Sequence, residues 1–219
     1  MKRITAVILC LLAVFGLAAC GEAEPVQTAE PSPSAEAATE SSPAETPAEA
    51  PAESAGTGGV LVAYFSATGN TRGVAELIAA ELGADVYEIV PEEPYTEADL
   101  DYSDSSSRTT AEMNDPDARP AISGELPDAA QYDVVFLGYP IWWGQAPRIV
   151  NTFLEGCDLA GKTVVPFCTS GGSGIGSSAT DLEALTEGAQ WLEGRRFGAG
   201  ASAEEVAEWV NGLELAPEA

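Results

Sequence analysis

Val60-Leu-Val-Ala-Tyr-Phe65 runs directly into Ser66-Ala67-Thr68-Gly69-Asn70-Thr71-Arg72, and this stretch decides the fold. Six apolar residues predict a buried strand. The hydroxyl- and glycine-rich loop behind them opens a helix that carries Val74, Leu77, Ile78 and Leu82 on one face. Backbone N–H groups left unpaired at a helix start, together with the positive end of the helix dipole, favour an anion such as a phosphate. Ser66, Thr68 and Thr71 add hydroxyl donors, Gly69 lets the backbone come close, and the loop supplies no lysine. A phosphate monoester held by neutral donors fits that pattern, and a nucleoside triphosphate does not. The plainer reading is an ordinary strand-to-helix turn with a Ser/Thr cap.

The chain ahead of this strand has a different character. Met1-Lys-Arg3 is charged, Ile4 to Ala18 is apolar, and Leu17-Ala-Ala-Cys20 closes the run with small residues and a cysteine. The apolar part falls short of the ~18–20 residues of a spanning helix. It resembles a bacterial lipoprotein signal, which implies removal of residues 1–19, lipid on Cys20 and an extracytoplasmic, membrane-anchored protein. An uncleaved N-terminal anchor is the alternative. From Glu22 to Gly56 the chain is almost wholly Ala, Glu, Pro, Ser and Thr, without an aromatic or basic residue. Such a segment buries too little apolar surface to offset its ordering entropy, so residues 20–56 are expected to form a disordered stalk. Residues 57–219 then make a single domain, long enough to bury about 70 % of its unfolded surface.

Composition removes whole classes of chemistry. Acidic residues number 35 against 9 basic ones, for a formal charge of -26. Lys2 and Arg3 belong to the leader, leaving seven basic residues to the domain. Nucleic acid is thereby excluded as an expected partner, whereas a protein with a basic docking face would suit the acidic surface. There is no histidine, so histidine-based hydrolysis, metal ligation and acid–base catalysis are excluded. Of four cysteines, Cys10 and Cys20 belong to the leader. Cys157 and Cys168 bracket a strand whose ends stand ~20 Å apart, beyond disulfide reach. Two free thiols and no metal site are expected.

Strand and helix patterns alternate along the rest of the domain. Asp85–Val90 reads as an edge strand because Glu88 breaks its apolar run, and Asp133–Tyr139 as a central strand. Pro147 starts a helix with Ile149, Val150, Phe153 and Leu154 inward and Gly156 as its stop. A strand over Thr163–Cys168, a helix over Ser178–Glu187 and a weaker strand over Trp191–Phe197 follow. The last helix is capped by Ser202 and Glu205 and buries Val206, Trp209, Val210 and Leu213. Alternation of this kind implies a doubly wound α/β fold on a parallel sheet. Residues 92–128 interrupt it as a long polar excursion, with one helix expected over Ser105–Met113 and Arg108 pairing with Glu112.

Two further loops sit at carboxyl ends of strands, where open α/β sheets bind ligands. Pro140-Ile141-Trp142-Trp143-Gly144 places tandem tryptophans in a loop, which makes sense if a flat ring stacks there, although one of them packing beneath the loop is the plain alternative. Thr169-Ser170-Gly171-Gly172-Ser173 offers backbone donors with little bulk. Two apparent motifs are spelling only. Gly156 to Thr163 fits the P-loop pattern but closes a helix and opens a strand, the reverse of the order a P-loop needs. Gly174-Ile-Gly-Ser-Ser-Ala179 lacks the first-strand position and the acidic partner of a dinucleotide site.

The three loops together resemble those of the flavodoxin family, over nearly the whole domain from Val60 to Leu213. Ser66–Thr71 matches the FMN-phosphate loop, Pro140–Gly144 the loop that flanks the flavin ring with an aromatic, and Thr169–Ser173 the second flavin loop. The resemblance implies a flavodoxin-like fold with five parallel strands in the order 2-1-3-4-5 and a non-covalent FMN. It implies that Ser66, Thr68, Asn70 and Thr71 hold the phosphate, with Ala67 and Gly69 in the same loop. Trp142 or Trp143 would stack on the ring beside Pro140, Ile141 and Gly144, and the backbone of Thr169–Gly172 would face its polar edge. The second flavin loop has no tyrosine, which leaves that ring face open or covered by Tyr95 or Tyr102 of the excursion. The expected function is an electron carrier of low potential, tethered by lipid at the outer face of a membrane. An NAD(P)H-dependent quinone or nitro reductase and a non-redox lipoprotein that binds another phosphate ligand are the alternatives.

Overall fold

A computed structural model of the chain describes residues 58–215. The signal over 1–19, Cys20 and the stalk lie outside the described residues. The alternating pattern becomes β1 (Gly59–Tyr64), α1 (Asn70–Leu82), β2 (Asp85–Glu88), α2 (Arg108–Asn114), β3 (Tyr132–Pro140), α3 (Arg148–Gly156), β4 (Thr163–Thr169), α4 (Ser178–Glu183), β5 (Gln190–Trp191), β6 (Arg195–Phe197) and α5 (Ala203–Asn211).

The sheet is parallel throughout and runs β2-β1-β3-β4-β5, with β6 also on β4, so the expected 2-1-3-4-5 order is the observed one. β2 is an edge, and its Glu88 reaches Arg72 on α1. The inner strands are apolar along nearly their whole length because both faces are covered. One face sets Leu61, Phe65, Val135, Leu137 and Tyr139 against Ile149, Val150, Phe153 and Leu154 of α3. The other sets Val62, Tyr64, Phe136, Val165 and Phe167 against Val74 and Ile78 of α1 and Val206 and Val210 of α5. The side chains of α5 are aimed by its start, where Ser202 Oγ accepts from the Glu205 amide at 3.1 Å.

Three expectations are corrected. The strand over Trp191–Phe197 is broken into β5 and β6. The break faces Pro166 of β4, which has no N–H to donate, while Gly194 is pressed so close to the Pro166 carbonyl that a Cβ would collide with it. The helix from Ser178 stops at Glu183, and the chain continues in turns in which Thr186 donates through Oγ1 to the Glu183 carbonyl. The excursion helix is shorter than expected, covering Arg108–Asn114 with Ser107 as its cap. Its Arg108–Glu112 pair forms at 2.7 Å.

Gly138 lies in β3 beside Phe167 of β4, and a Cβ there would run into the Phe167 ring. The backbone thus leaves space for a large aromatic at the sheet centre. Gly138→Ala should cost about 1–3 kcal/mol by overpacking. A urea midpoint for the variant equal to that of the natural chain would contradict this packing.

Candidate functional site

The carboxyl ends of β1, β3 and β4 lie side by side, so the three glycine-bearing loops gather at one edge of the sheet. They surround a cavity of about 370 Å³ lined by Ala67, Thr68, Asn70, Thr71, Pro140, Ile141, Trp142, Thr169, Ser170 and Gly171, with Leu100, Tyr102 and Ala199. Ser66, Gly69, Trp143, Gly144, Gly172 and Ser173 of the same loops are not among the lining residues. Leu100 and Ala199 carried no signal in the sequence. Tyr102 is one of the two excursion tyrosines that the sequence offered as a cover for the ring, and it reaches the cavity.

The first loop ends in Gly69 at φ 86°, a left-handed conformation that suits glycine, and no side chain caps α1. Ser66 Oγ instead accepts from the Gly69 amide at 3.1 Å, and Asn70 donates through Nδ2 to Thr68 Oγ1 at 3.1 Å. The helix start therefore keeps its own amides for a ligand. Arg72, in the first turn of α1, is engaged by the Glu88 carboxylate of β2. Thr71 is buried, and its hydroxyl shares a hydrogen bond of 2.8 Å with that of Thr169 at the end of β4. This bond fastens the first loop to the third.

The tandem tryptophans separate. Trp142 is buried at the cavity's edge, with Phe65 and Tyr95 packed edge-on at centroid distances of 5.6 and 5.4 Å. Trp143 is 47 % exposed and tilts against Tyr102 at 4.8 Å. Trp142 and Gln145 exchange both backbone hydrogen bonds at 2.9 Å, so Trp143 and Gly144 occupy the tip of a tight turn at φ 47° and 81°. A left-handed tryptophan costs about 1–2 kcal/mol. The turn accepts that cost and thrusts the ring outward at the rim.

Tyr95 holds the polar excursion in place. Its hydroxyl donates to Glu112 at 2.6 Å, Arg108 Nε donates to the same carboxylate at 2.7 Å, and the Arg108 guanidinium lies 4.2 Å over the Tyr95 ring. Burial, reinforced by Glu112, raises the Tyr95 pKa, so its proton stays in the knot. Leu100 and Tyr102 are carried to the cavity by the segment this knot secures. On the third loop the Ser170 amide donates to the Phe197 carbonyl at 3.2 Å. A Cβ at Gly69, Gly171, Gly172 or Gly198 would meet nothing within 4 Å, so these backbones border open space that a ligand can approach closely.

Beneath the site, Tyr139 is fully buried and within 3.1 Å of the Ser178 hydroxyl. Both thiols are unpaired, as expected; Cys168 is buried and Cys157 partly so. Burial pushes Cys157 up to about 11 and Cys168 up to about 12. Among the described residues no three of His, Cys, Asp and Glu cluster in a way that could hold a metal ion.

A family model described as Flavodoxin matches residues 59–213. A structure from Bacteroides uniformis ATCC 8492, designated a flavoprotein, is 47 % identical, with a TM-score of 0.69 over 71 % of this chain and 99 % of its own. A second, from Bacteroides eggerthii DSM 20697, is 50 % identical, with a TM-score of 0.68 over 73 % of this chain and 99 % of its own. A flavoprotein from Lactobacillus acidophilus NCFM, solved in complex with FMN, shares the fold at 22 % identity and a TM-score of 0.54, over 69 % of this chain and 98 % of its own. No curated protein matches significantly.

The buried thiols generate a test by pH. Their folded pKa values lie above the ~8.5 of an unfolded thiol. The stabilisation from keeping them neutral is therefore complete below about pH 8.5 and lost as pH rises through about 11 and about 12. Urea midpoints should hold steady to pH 8 and fall from pH 9 upward. At pH 8 a thiol reagent should leave the buried Cys168 unlabelled until the chain unfolds. Rapid labelling of Cys168 in the native chain would contradict this burial.

Proposed function

The chain belongs to the flavodoxin family, and on that premise we propose that it binds FMN non-covalently and carries electrons at the outer face of a membrane. The observation that carries the reading is the uncapped start of α1 beside Ser66, Thr68 and Asn70, opening onto a cavity with aromatic and glycine walls. The donor set fits the group: neutral hydroxyls and helix amides suit a phosphate monoester, and Trp142 and Tyr102 suit a flat ring. The Lactobacillus acidophilus flavoprotein lends support as a protein of this fold that takes FMN. When bound, FMN would supply the redox chemistry.

This chain's residues supply placement and surroundings. The amides of α1, with Ser66, Thr68 and Asn70, orient the phosphate; Thr71 locks that loop to Thr169. Trp142 and Ile141 wall the ring site, and Leu100 and Tyr102 of the excursion exclude water from it. The acidic shell disfavours added negative charge, which biases the site toward a low reduction potential. Leu100 and Tyr102 in the same cavity favour a carrier over an NAD(P)H-dependent quinone or nitro reductase, which needs an open ring face. A partner with a basic docking face suits this surface.

The full-length chain should purify yellow and bind FMN at least about 100-fold more tightly than riboflavin, because each charge-assisted hydrogen bond to the phosphate contributes about 1.5–3 kcal/mol. Flavin-fluorescence quenching measures this, and equal affinities would overturn the phosphate assignment. In the same samples NADH or NADPH should bleach the flavin only slowly; rapid bleaching would favour the reductase, and no flavin affinity at all the non-redox lipoprotein.

The tether rests on Leu17-Ala-Ala-Cys20 and the stalk behind it. Among the described residues no helix is long and apolar enough to cross a membrane. Cys20→Ser should leave the protein out of the membrane fraction or unprocessed, with flavin binding intact. Natural chain found in the cytoplasm with its first residues present would refute the anchor.

A further inference from the structure

Arg196 stands on β6 next to Cys168 of β4 and points along the face that carries the third loop. Its Nη2 donates to the Ser170 carbonyl at 2.7 Å, and its Nε donates to Ser170 Oγ at 3.1 Å. The Ser170 hydroxyl in turn donates to the Ser173 carbonyl. With its amide on the Phe197 carbonyl, Ser170 has every polar atom engaged, two of them by one guanidinium. Ser170 lines the cavity, as do its neighbours Thr169 and Gly171.

The charge is as notable as the geometry. Four of the domain's arginines, at 72, 108, 119 and 195, form ion pairs with carboxylates. Arg196 is partly buried, and among the described residues no carboxylate lies within the 4.0 Å of an ion pair. In a strongly acidic chain, a cation spent on a backbone carbonyl beside the cavity is otherwise unexplained. Burial pushes the Cys168 thiol up, and the Arg196 charge pulls it the other way, so that charge is felt inside the protein.

We infer that Arg196 is the positioning residue of the Thr169–Ser173 loop: its fork on Ser170 sets the loop's backbone donors around the cavity and stations a positive charge behind them. The inference rests on the FMN reading for its ligand but not for its effect on the loop. A planar fork spans the Ser170 carbonyl and hydroxyl together, which a lysine ammonium does not do as well. The charge also favours the more negative, reduced form of a bound flavin over the oxidised form, offsetting part of the acidic surroundings.

The test uses the full-length chain and the variants Arg196→Gln and Arg196→Lys. In the flavin-free protein, hydrogen exchange at the Ser170 amide should speed up at least about 10-fold in both, while the amides inside β4 stay protected. With FMN, Arg196→Gln should bind at least about 10-fold more weakly and shift the midpoint potential to more negative values. Arg196→Lys should restore the potential while recovering only part of the affinity. Unchanged Ser170 exchange would overturn the positioning role, and an unchanged potential in Arg196→Gln would overturn the electrostatic one. If Arg196→Gln does not fold, Arg196→Lys decides the loop by its Ser170 exchange, and a potential in Arg196→Lys clearly more negative than that of the natural chain would overturn the charge. If the natural chain takes no FMN, the functional reading fails, and Ser170 exchange still decides the role of Arg196.

Discussion

Parallel register between β1, β3 and β4 is the constraint on which the rest depends. Parallel neighbours all release their chains at the same edge, so the loops after Phe65, Pro140 and Thr169 must meet there. The buried Thr71–Thr169 hydrogen bond turns that meeting into a fixed geometry, joining the first turn of α1 to the end of β4. Both hydroxyls lie where water does not compete, and a partner lost from such a pair leaves a buried polar atom unpaired.

The polar excursion is the second device. Residues 92–119 contain too few apolar side chains to form a core of their own, yet the segment is ordered. It borrows order through Tyr95, whose ring completes an aromatic triangle with Phe65 and Trp142 while its hydroxyl meets Glu112. Arg108 satisfies Glu112 and caps the Tyr95 ring, so a carboxylate, a guanidinium and a phenol are brought in together with each partnered. The same contacts deliver Tyr102 to the cavity and give the outward Trp143 a companion.

Charge is distributed with economy. The domain is poor in cations, and most arginines are committed to carboxylates that shape loops or edges. Arg72 sits at the helix that receives the proposed phosphate yet faces Glu88, leaving neutral donors to the ligand. Arg196 has no carboxylate partner among the described residues and is held by Ser170. On the proposed reading, phosphate recognition and ring environment would be separated: one loop offers a helix terminus, the other a backbone held from behind by a cation.

The sequence by itself determined the alternation of strands and helices, the edge position of β2, the inward faces of α1, α3 and α5 and the gathering of three loops at one edge. These follow from periodicity, capping residues and glycine placement, which act over a few residues and are written locally. It also marked the Arg108–Glu112 pair, which one helical turn sets. Only the tertiary structure decided that Trp142 is buried while Trp143 is exposed, because a left-handed turn closed between Trp142 and Gln145 splits adjacent residues that are chemically identical. Only it decided that Tyr102 lines the cavity while Tyr95 packs behind it, since Tyr95 and Glu112 must first meet across a long segment. The break between β5 and β6 depends on Pro166 in a different strand, and the grip of Arg196 on Ser170 joins residues far apart in the chain. Such contacts are set by which strands become neighbours, and no local pattern records the pairing of one side chain with another across a sheet.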